Sequence, residues 1–255
     1  LLVLHGDASG AQQMERLTKF DELADDEGFI VVYPEAVGHH WNDGREAGSF
    51  PGPQAQIDDV GFLVQVMDLL IKDYGVEAGK MFVCGFSNGG MMAQRLAKES
   101  PKVSAVASVC GLMPRSWGPE FGVQRGMGVL LIDGSSDPSM PTAGGPVRFF
   151  SGRTRGEVLG GTASAERWVQ ALGCQMVETE TALVNSDLSD NCQPFRSTFK
   201  NRTSGSCLVR IRVEGGGHGW PGSAQYLPSA LIGPVCQDFE ATAEIWSFFK
   251  GLSRR

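Results

Sequence analysis

Met81-Phe82-Val83-Cys84-Gly85-Phe86-Ser87-Asn88-Gly89-Gly90-Met91-Met92-Ala93 is the stretch on which the fold turns. The four apolar residues Met81 to Cys84 read as a short buried strand, and the run from Met91 to Lys98 reads as a helix. Between them lies a G-x-S-x-G pentapeptide, Gly85 to Gly89. A serine hydroxyl is a poor nucleophile. It attacks a carbonyl only when a sharp strand-to-helix turn exposes it, a base takes its proton and backbone N–H groups hold the oxyanion. Glycines at 85 and 89 leave room for such a turn. The pentapeptide alone recurs by chance in a glycine-rich chain, so the strand before it and the helix after it carry the inference of a serine hydrolase.

Outward from this turn, apolar runs of strand character recur at Leu1–Leu4, Phe29–Tyr33, Val103–Cys110, Val129–Ile132 and Leu208–Val213. Helix-length segments separate most of them. After Ile57-Asp58-Asp59, apolar residues return at Val60, Leu63, Val64, Met67, Leu70 and Ile71, the stripe of a helix that buries one face. Met14–Glu27 and Thr162–Leu172 also read as helices. This alternation predicts an α/β fold with a mostly parallel sheet covered on both faces. Functional groups of such sheets gather in loops at the carboxyl ends of the strands. Asp58-Asp59 reads as an N-cap with a favourable helix-dipole contact rather than as a site. Pro138–Gly161, rich in Gly, Pro, Ser and Arg, reads as a long surface loop, and its role as a lid stays open.

A chain of 255 residues can bury one sizeable core, so a single domain over residues 1–255 is expected. The balance of 22 basic against 29 acidic residues gives a net charge of −7, with no basic cluster beyond Arg254-Arg255. That argues against nucleic acid or an anionic membrane as partner. No apolar stretch approaches the length of a membrane span. The chain opens without methionine on the strand-like Leu1-Leu2-Val3-Leu4, and an upstream segment carrying a signal peptide and early strands is expected. Six cysteines include no C-x-x-C pair, which disfavours a zinc site or a thioredoxin-like motif. Cys84 and Cys110 close strand-like runs and read as small buried hydrophobes. Cys174, Cys192, Cys207 and Cys236 lie in the loop-rich second half, where disulfides would brace long connections; four cysteines allow three pairings. A secreted or periplasmic location is the corresponding expectation. The Asn201-Arg202-Thr203 sequon reads as a chance occurrence.

If Ser87 is the nucleophile of an α/β-hydrolase, an acid and then a base must follow it in the chain. Of four histidines, His5, His39 and His40 precede Ser87, which leaves His218 in Gly215-Gly216-Gly217-His218-Gly219-Trp220-Pro221. A glycine run suits a backbone that must bend to aim one ring. The acid must accept the imidazole N–H and stabilise the imidazolium. Asp133 and Asp137 both follow the Val129–Ile132 strand. Asp137, in the turn beyond it, can reach sideways to a neighbouring loop and is preferred; Asp133 reads as a structural hydrogen-bond acceptor. Asp187 and Asp190 sit in a polar segment instead. The oxyanion requires two backbone N–H groups. One is expected from Asn88 and the other from Asp7, in the loop after the Leu1–Leu4 strand. His5 reads as a structural residue that bonds loop carbonyls.

Taken together, the segments L-H-G at 4–6, G-F-I-V-V-Y-P-E-A at 28–36, W-N-D-G-R at 41–45, D-D-V-G-F-L at 58–63, G-F-S-N-G-G-M-M-A at 85–93, D-G-S-S-D-P at 133–138 and G-G-G-H-G-W-P-G at 215–222 are co-linear over nearly the whole chain. In this order they resemble the polyhydroxybutyrate depolymerase-like esterases, relatives of the feruloyl esterases of carbohydrate esterase family 1. The resemblance implies an α/β-hydrolase fold and a Ser87–Asp137–His218 triad, since the family's acid lies in a G-x-x-D-P turn. It also implies a Cys174–Cys207 disulfide. Two features depart from the family: Asp7 replaces a small uncharged residue, and the strands that precede the L-H-G segment are absent from this sequence.

The expected reaction is two-step ester hydrolysis through an acyl-enzyme, on hydroxycinnamoyl or polyester groups, with no metal or organic cofactor. Trp41 and Trp220 flank the expected site and read either as an aromatic substrate wall or as loop packing. A serine peptidase or acyltransferase could use the same residues, and a polymer- or carbohydrate-binding pseudo-hydrolase could retain the fold.

Overall fold

Runs of apolar residues without alternation form strands that are buried on both faces, and that is how the centre of this molecule is built. The computed structural model describes residues 1–46, 56–118, 122–123, 126–148 and 154–252. Its strands are β1 (Leu2–Leu4), β2 (Phe82–Phe86), β3 (Ala105–Val109), β4 (Gly128–Gly134), β5 (Gly144–Arg148), β6 (Thr154–Leu159), β7 (Gln175–Ala182), β8 (Gln193–Lys200) and β9 (Cys207–Glu214). Its α-helices are α1 (Ala11–Thr18), α2 (Phe20–Glu27), α3 (Asp59–Tyr74), α4 (Asn88–Glu99), α5 (Gly161–Leu172), α6 (Ser229–Ile232) and α7 (Ala241–Leu252). Seven strands form one sheet in the order β1-β2-β3-β4-β9-β8-β7. The first five run parallel, and β8 and β7 extend the sheet antiparallel.

Side chains that alternate along each strand feed two cores, one per face. Leu2, Leu4, Val83, Val106, Val129 and Leu131 pack with Leu63 and Met67 of α3, Met92 and Leu96 of α4 and Trp168 of α5. Val3, Phe82, Cys84, Ala107, Leu130 and Ile132 pack with Met14 of α1, Phe20 of α2 and Ile245 and Phe249 of α7. Asp58 caps α3, its Oδ1 accepting the Gly61 N–H at 2.8 Å. Asp59 is buried, and its Oδ2 accepts the Asn42 N–H at 2.6 Å, tying α3 to the loop below the site.

Several sequence expectations are corrected. Phe29–Tyr33 is not a strand but makes a single parallel bridge, Leu2 to Val32. Pro34 follows directly; it lacks an N–H and cannot extend a ladder. Met14–Glu27 falls in two helices, because Lys19 between them is left-handed at φ 52°. Pro138–Gly161 is not an irregular loop: within it β5 and β6 pair antiparallel, while residues 149–153 lie outside the described residues. Gly144, Gly145 and Pro146 disguise that hairpin as a breaker cluster. Strands β7 and β8 were also unforeseen, because Gln175–Ala182 is exposed at every position and carries no hydrophobic period. Glutamates along such an edge discourage pairing with another chain.

Candidate active site

The carboxyl ends of β2, β4 and β9 converge where the loops bearing Ser87, Asp137 and His218 leave the sheet. Ser87 occupies the single step between β2 and α4 and is strained, at φ 55° and ψ −119°. For a residue with a side chain this backbone costs about 1–3 kcal/mol and must be enforced by its surroundings. The enforcement is visible. The Ser87 N–H donates to Val109 O at 2.8 Å, and Met91 N–H to Ser87 O at 3.0 Å. A Cβ on Gly85 would lie 2.3 Å from the carbonyl of Gly89, and one on Gly89 would lie 2.3 Å from Leu4 O. Only hydrogen at both positions lets the turn press against β1.

The Ser87 Oγ lies 3.0 Å from His218 Nε2, and His218 Nδ1 lies 2.7 Å from Asp137 Oδ2. An ionised carboxylate only accepts, so Nδ1 carries the hydrogen and Nε2 is free to accept from the serine. The other Asp137 oxygen accepts the N–H groups of Ser139 and Met140, each at 2.8 Å. The histidine loop is held through its backbone as well. His218 N–H donates to Ile232 O at 2.5 Å, and the Tyr226 hydroxyl donates to His218 O at 2.8 Å. Asp133 is elsewhere: it makes a two-pronged pair with Arg210 at 2.9 and 2.8 Å on the neighbouring strand β9. The structure therefore brings Asp137, and not Asp133, to the histidine.

On the other side of Ser87 stands a network of charged groups. Asn88 begins α4, so its N–H points out of a helix N-terminus, where negative charge is stabilised. Its side-chain amide accepts from Trp41 N–H at 2.8 Å and donates to Trp41 O at 3.0 Å and to Asp43 Oδ2 at 2.6 Å. Asp43 is fully buried and is gripped by Arg45, with contacts of 2.8 and 3.0 Å. Arg45 also donates to Arg155 O at 2.6 Å, which fastens β6 to the network. Asp7 lines the cavity in front of Ser87, but its carboxylate is paired with His40 and, at 3.0 Å, with Arg155. Burial pushes the Asp7 carboxyl up; the His40 hydrogen bond and charge, with Arg155 and Arg45, outweigh it and hold it below its ordinary range. His5 is buried and its pKa is lowered by burial. Its Nε2 accepts the Ala36 N–H at 3.0 Å and its Nδ1 faces Gly6 O at 2.8 Å, which makes it a neutral brace for the Gly6-Asp7 loop.

The cavity at Ser87 has a volume of about 460 Å³, within the range of small-molecule sites. Met14, Leu17, Phe86, Met140, Val147 and Leu227 give it an apolar wall, and Arg148 stands exposed at its rim. Val147 and Arg148 of β5 thus stand on one side of the cavity. Trp41 and Trp220, read from sequence as a possible aromatic wall, do not line it. Trp41 is fully buried with its indole N–H on His5 O at 3.0 Å, and Trp220 is buried with its N–H on Thr242 Oγ1 at 3.0 Å. Both are packing residues. Asp43, Arg45 and the hairpin were missed; the segment W-N-D-G-R was noted only as a pattern, because no spacing rule ties it to Ser87.

One cluster of potential metal ligands, Cys110 with Asp137 and His218, contains the Asp137–His218 pair. Its imidazole and carboxylate atoms already face one another, and burial pushes the Cys110 thiol well up, so the group does not fit a cation. All six cysteines are free thiols in this structure, including Cys174 and Cys207, for which a disulfide was expected. Cys84 and Cys110 are buried, as small hydrophobes should be.

Residues 1–165 match the family described as esterase PHB depolymerase. That match contains Ser87 and Asp137 and ends before His218, so the place of His218 beside them is a matter of geometry. NocK of Nocardia uniformis subsp. tsuyamanensis, an esterase by assignment, is 32% identical over 98% of this chain and 73% of its own length. Feruloyl esterase B of Thermothelomyces thermophilus is 28% identical over 43% of this chain and 37% of that protein. Among solved structures, the acetyl xylan esterase from Aspergillus awamori has a similar fold, with a TM-score of 0.58 at 17% identity, covering 86% of this chain and 82% of that one. The chain therefore belongs to the esterase PHB depolymerase family and is a carboxylic-ester hydrolase of the α/β-hydrolase fold.

Proposed function

We propose that Ser87, His218 and Asp137 hydrolyse esters of acyl groups larger than acetyl, aromatic or hydroxyalkanoyl, through a covalent acyl-enzyme. The observation that carries this reading is a strained serine on the floor of an apolar cavity with a histidine 3.0 Å from its hydroxyl. As Ser87 Oγ attacks the ester carbonyl, His218 Nε2 takes its proton and Asp137 stabilises the imidazolium. The oxyanion is held by the N–H groups of Asn88 and Asp7, the first at a helix N-terminus. His218 returns the proton to the departing alcohol. Water then enters, loses a proton to His218 and releases the acid.

A cavity of about 460 Å³ leaves most of its apolar wall unused by an acetyl group, which favours the bulkier acyl classes. Feruloyl esterases among the relatives support the aromatic option and the family match supports the hydroxyalkanoyl one. The family and cysteine usage favour a secreted or periplasmic setting. Among the described residues no helix is long and apolar enough to cross a membrane.

Two measurements test this reading. A serine-directed phosphonate should label Ser87 alone on mass mapping, and labelling at another serine overturns the nucleophile. A panel of acetyl, butyryl, hydroxybutyryl-oligomer and feruloyl esters alongside peptide amides should give kcat/KM rising from acetyl to the larger acyl groups. A preference for acetyl, or cleavage of peptides without esters, sinks it.

A further inference from the structure

Cys192 and Cys236 are far apart in sequence and adjacent in space. Their sulfurs and a carboxylate oxygen of Asp190 all lie within 4.8 Å of one another, and both cysteines are buried. Cys192 immediately precedes β8, whose first residue Gln193 pairs with Glu214 at the end of β9, just before the histidine loop. Cys236 lies across that loop. Gly222 N–H donates to Cys236 O at 2.8 Å and Gly217 N–H to Pro234 O at 2.7 Å. Asp190 already holds the two cysteine segments together, accepting Cys192 N–H on one oxygen and Gln237 N–H on the other, each at 2.7 Å. Asp238 does the same for the preceding loop, accepting Ser186 N–H at 2.7 Å and Asp187 N–H at 3.0 Å.

We propose that Cys192 and Cys236 form a disulfide that clamps the loop carrying His218. A disulfide needs its sulfurs about 2 Å apart, and in the thiol form these two already lie within 4.8 Å of one another. The alternative, a cation held by Asp190, Cys192 and Cys236, fits less well, because both Asp190 oxygens are committed to backbone N–H groups. The oxidant is a small-molecule disulfide of the glutathione type. One cysteine thiolate attacks it, expelling one small thiol and leaving a mixed disulfide; the second cysteine attacks that and expels the other. Two electrons and two protons leave the protein and appear on the two small thiols. In the folded thiol form Cys236 is a poor attacker: its hydrogen bond with Cys192 and its burial push the thiol far up. The family resemblance pointed instead to Cys174 and Cys207, at the opposite end of β9, where a bond would brace the sheet and leave the histidine loop untouched.

The whole chain, refolded in oxidised and reduced glutathione and unfolded in excess iodoacetamide, is mapped without reduction. The expected result is a cross-linked peptide pair containing Cys192 and Cys236. Alkylation of both, or a bond from either to another cysteine, overturns the proposal. So does one zinc per chain, by elemental analysis, in protein prepared in glutathione with both thiols intact. In a Cys174→Ser/Cys207→Ser background, reductant should lower Tm by roughly 5–10 °C. The Cys192→Ser/Cys236→Ser pair in that background should melt at the reduced value and ignore reductant; melting at the oxidised value counts against the clamp.

Discussion

The two flanks of Ser87 are built on opposite plans. On one side stand an imidazole and a carboxylate in single file, at 3.0 and 2.7 Å, each delivered by the end of a sheet strand. On the other, Asp43, Arg45, Asp7, His40 and Arg155 form an interlocked set of charged and polar groups around Asn88, in which only Asp7 follows a sheet strand, β1. On the reading proposed above the file carries a moving proton, so each group has one partner that matters. On the same reading the network has only to stay still, because donors that face a developing negative charge are best held by groups that are mutually over-determined. Loss of a member should abolish catalysis on the first side and degrade it on the second.

Substitutions can break that contrast. Ser87→Ala should lower kcat by about 10⁴- to 10⁶-fold with Tm little changed, because alanine keeps the Cβ and the same strained backbone and loses only the hydroxyl; residual activity within 100-fold of wild type would falsify the relay. Asp137→Asn should lower kcat by roughly 10⁴-fold by favouring the wrong tautomer. Asp133→Asn, four residues away, should leave kcat within a few-fold and show its effect in Tm, since it leaves Arg210 half-paired where the pair is largely buried. If the two aspartates behave alike, the separation of roles is wrong.

On the network side, Asp43→Asn should reduce kcat by about 10- to 100-fold with a smaller change in KM, as Asn88 loses its anchor and the oxyanion donor drifts. A pure KM effect would place Asp43 in ground-state binding instead. Asp7→Asn is milder and carries a pH signature. Because the folded Asp7 carboxyl lies below its ordinary value of 3.8, its contribution to stability is present above that value and is lost as pH falls through the folded value. The wild-type advantage in urea unfolding should thus be full near neutrality and should close at acid pH. An advantage that persists there assigns Asp7 a role other than its charge. Tyr226→Phe, which removes one hydroxyl on the His218 carbonyl, should cost only a few-fold in kcat.

The contrast also separates what was legible from what was not. The nucleophile turn could be read because strand, glycines, serine and helix are consecutive, and their conformations are dictated locally. His218 could be read by chain order and by elimination among four histidines. Asp137 against Asp133 could only be ranked. In sequence both come at the end of one apolar run, and what separates them is Arg210 on β9, which holds Asp133 inside β4 while Asp137 lies beyond it. The tryptophans misled for a related reason. A loop position near the site says nothing about direction, and the indole N–H groups of Trp41 and Trp220 point into the protein toward His5 and Thr242.

By itself, then, the amino-acid order determined the parallel core strands, the serine turn, the eligible histidine and the family pattern, because each rests on periodicity or spacing over short stretches. The tertiary structure alone decided which aspartate meets the histidine, that β5 brings Val147 and Arg148 to the cavity while pairing with β6, that an all-exposed segment becomes β7, and that Cys192 lies against Cys236. The aspartate and cysteine outcomes depend on contacts across 81 positions for Asp137 and His218 and 44 for Cys192 and Cys236, where the free energy lies in pairing and burial and leaves no local trace in either partner.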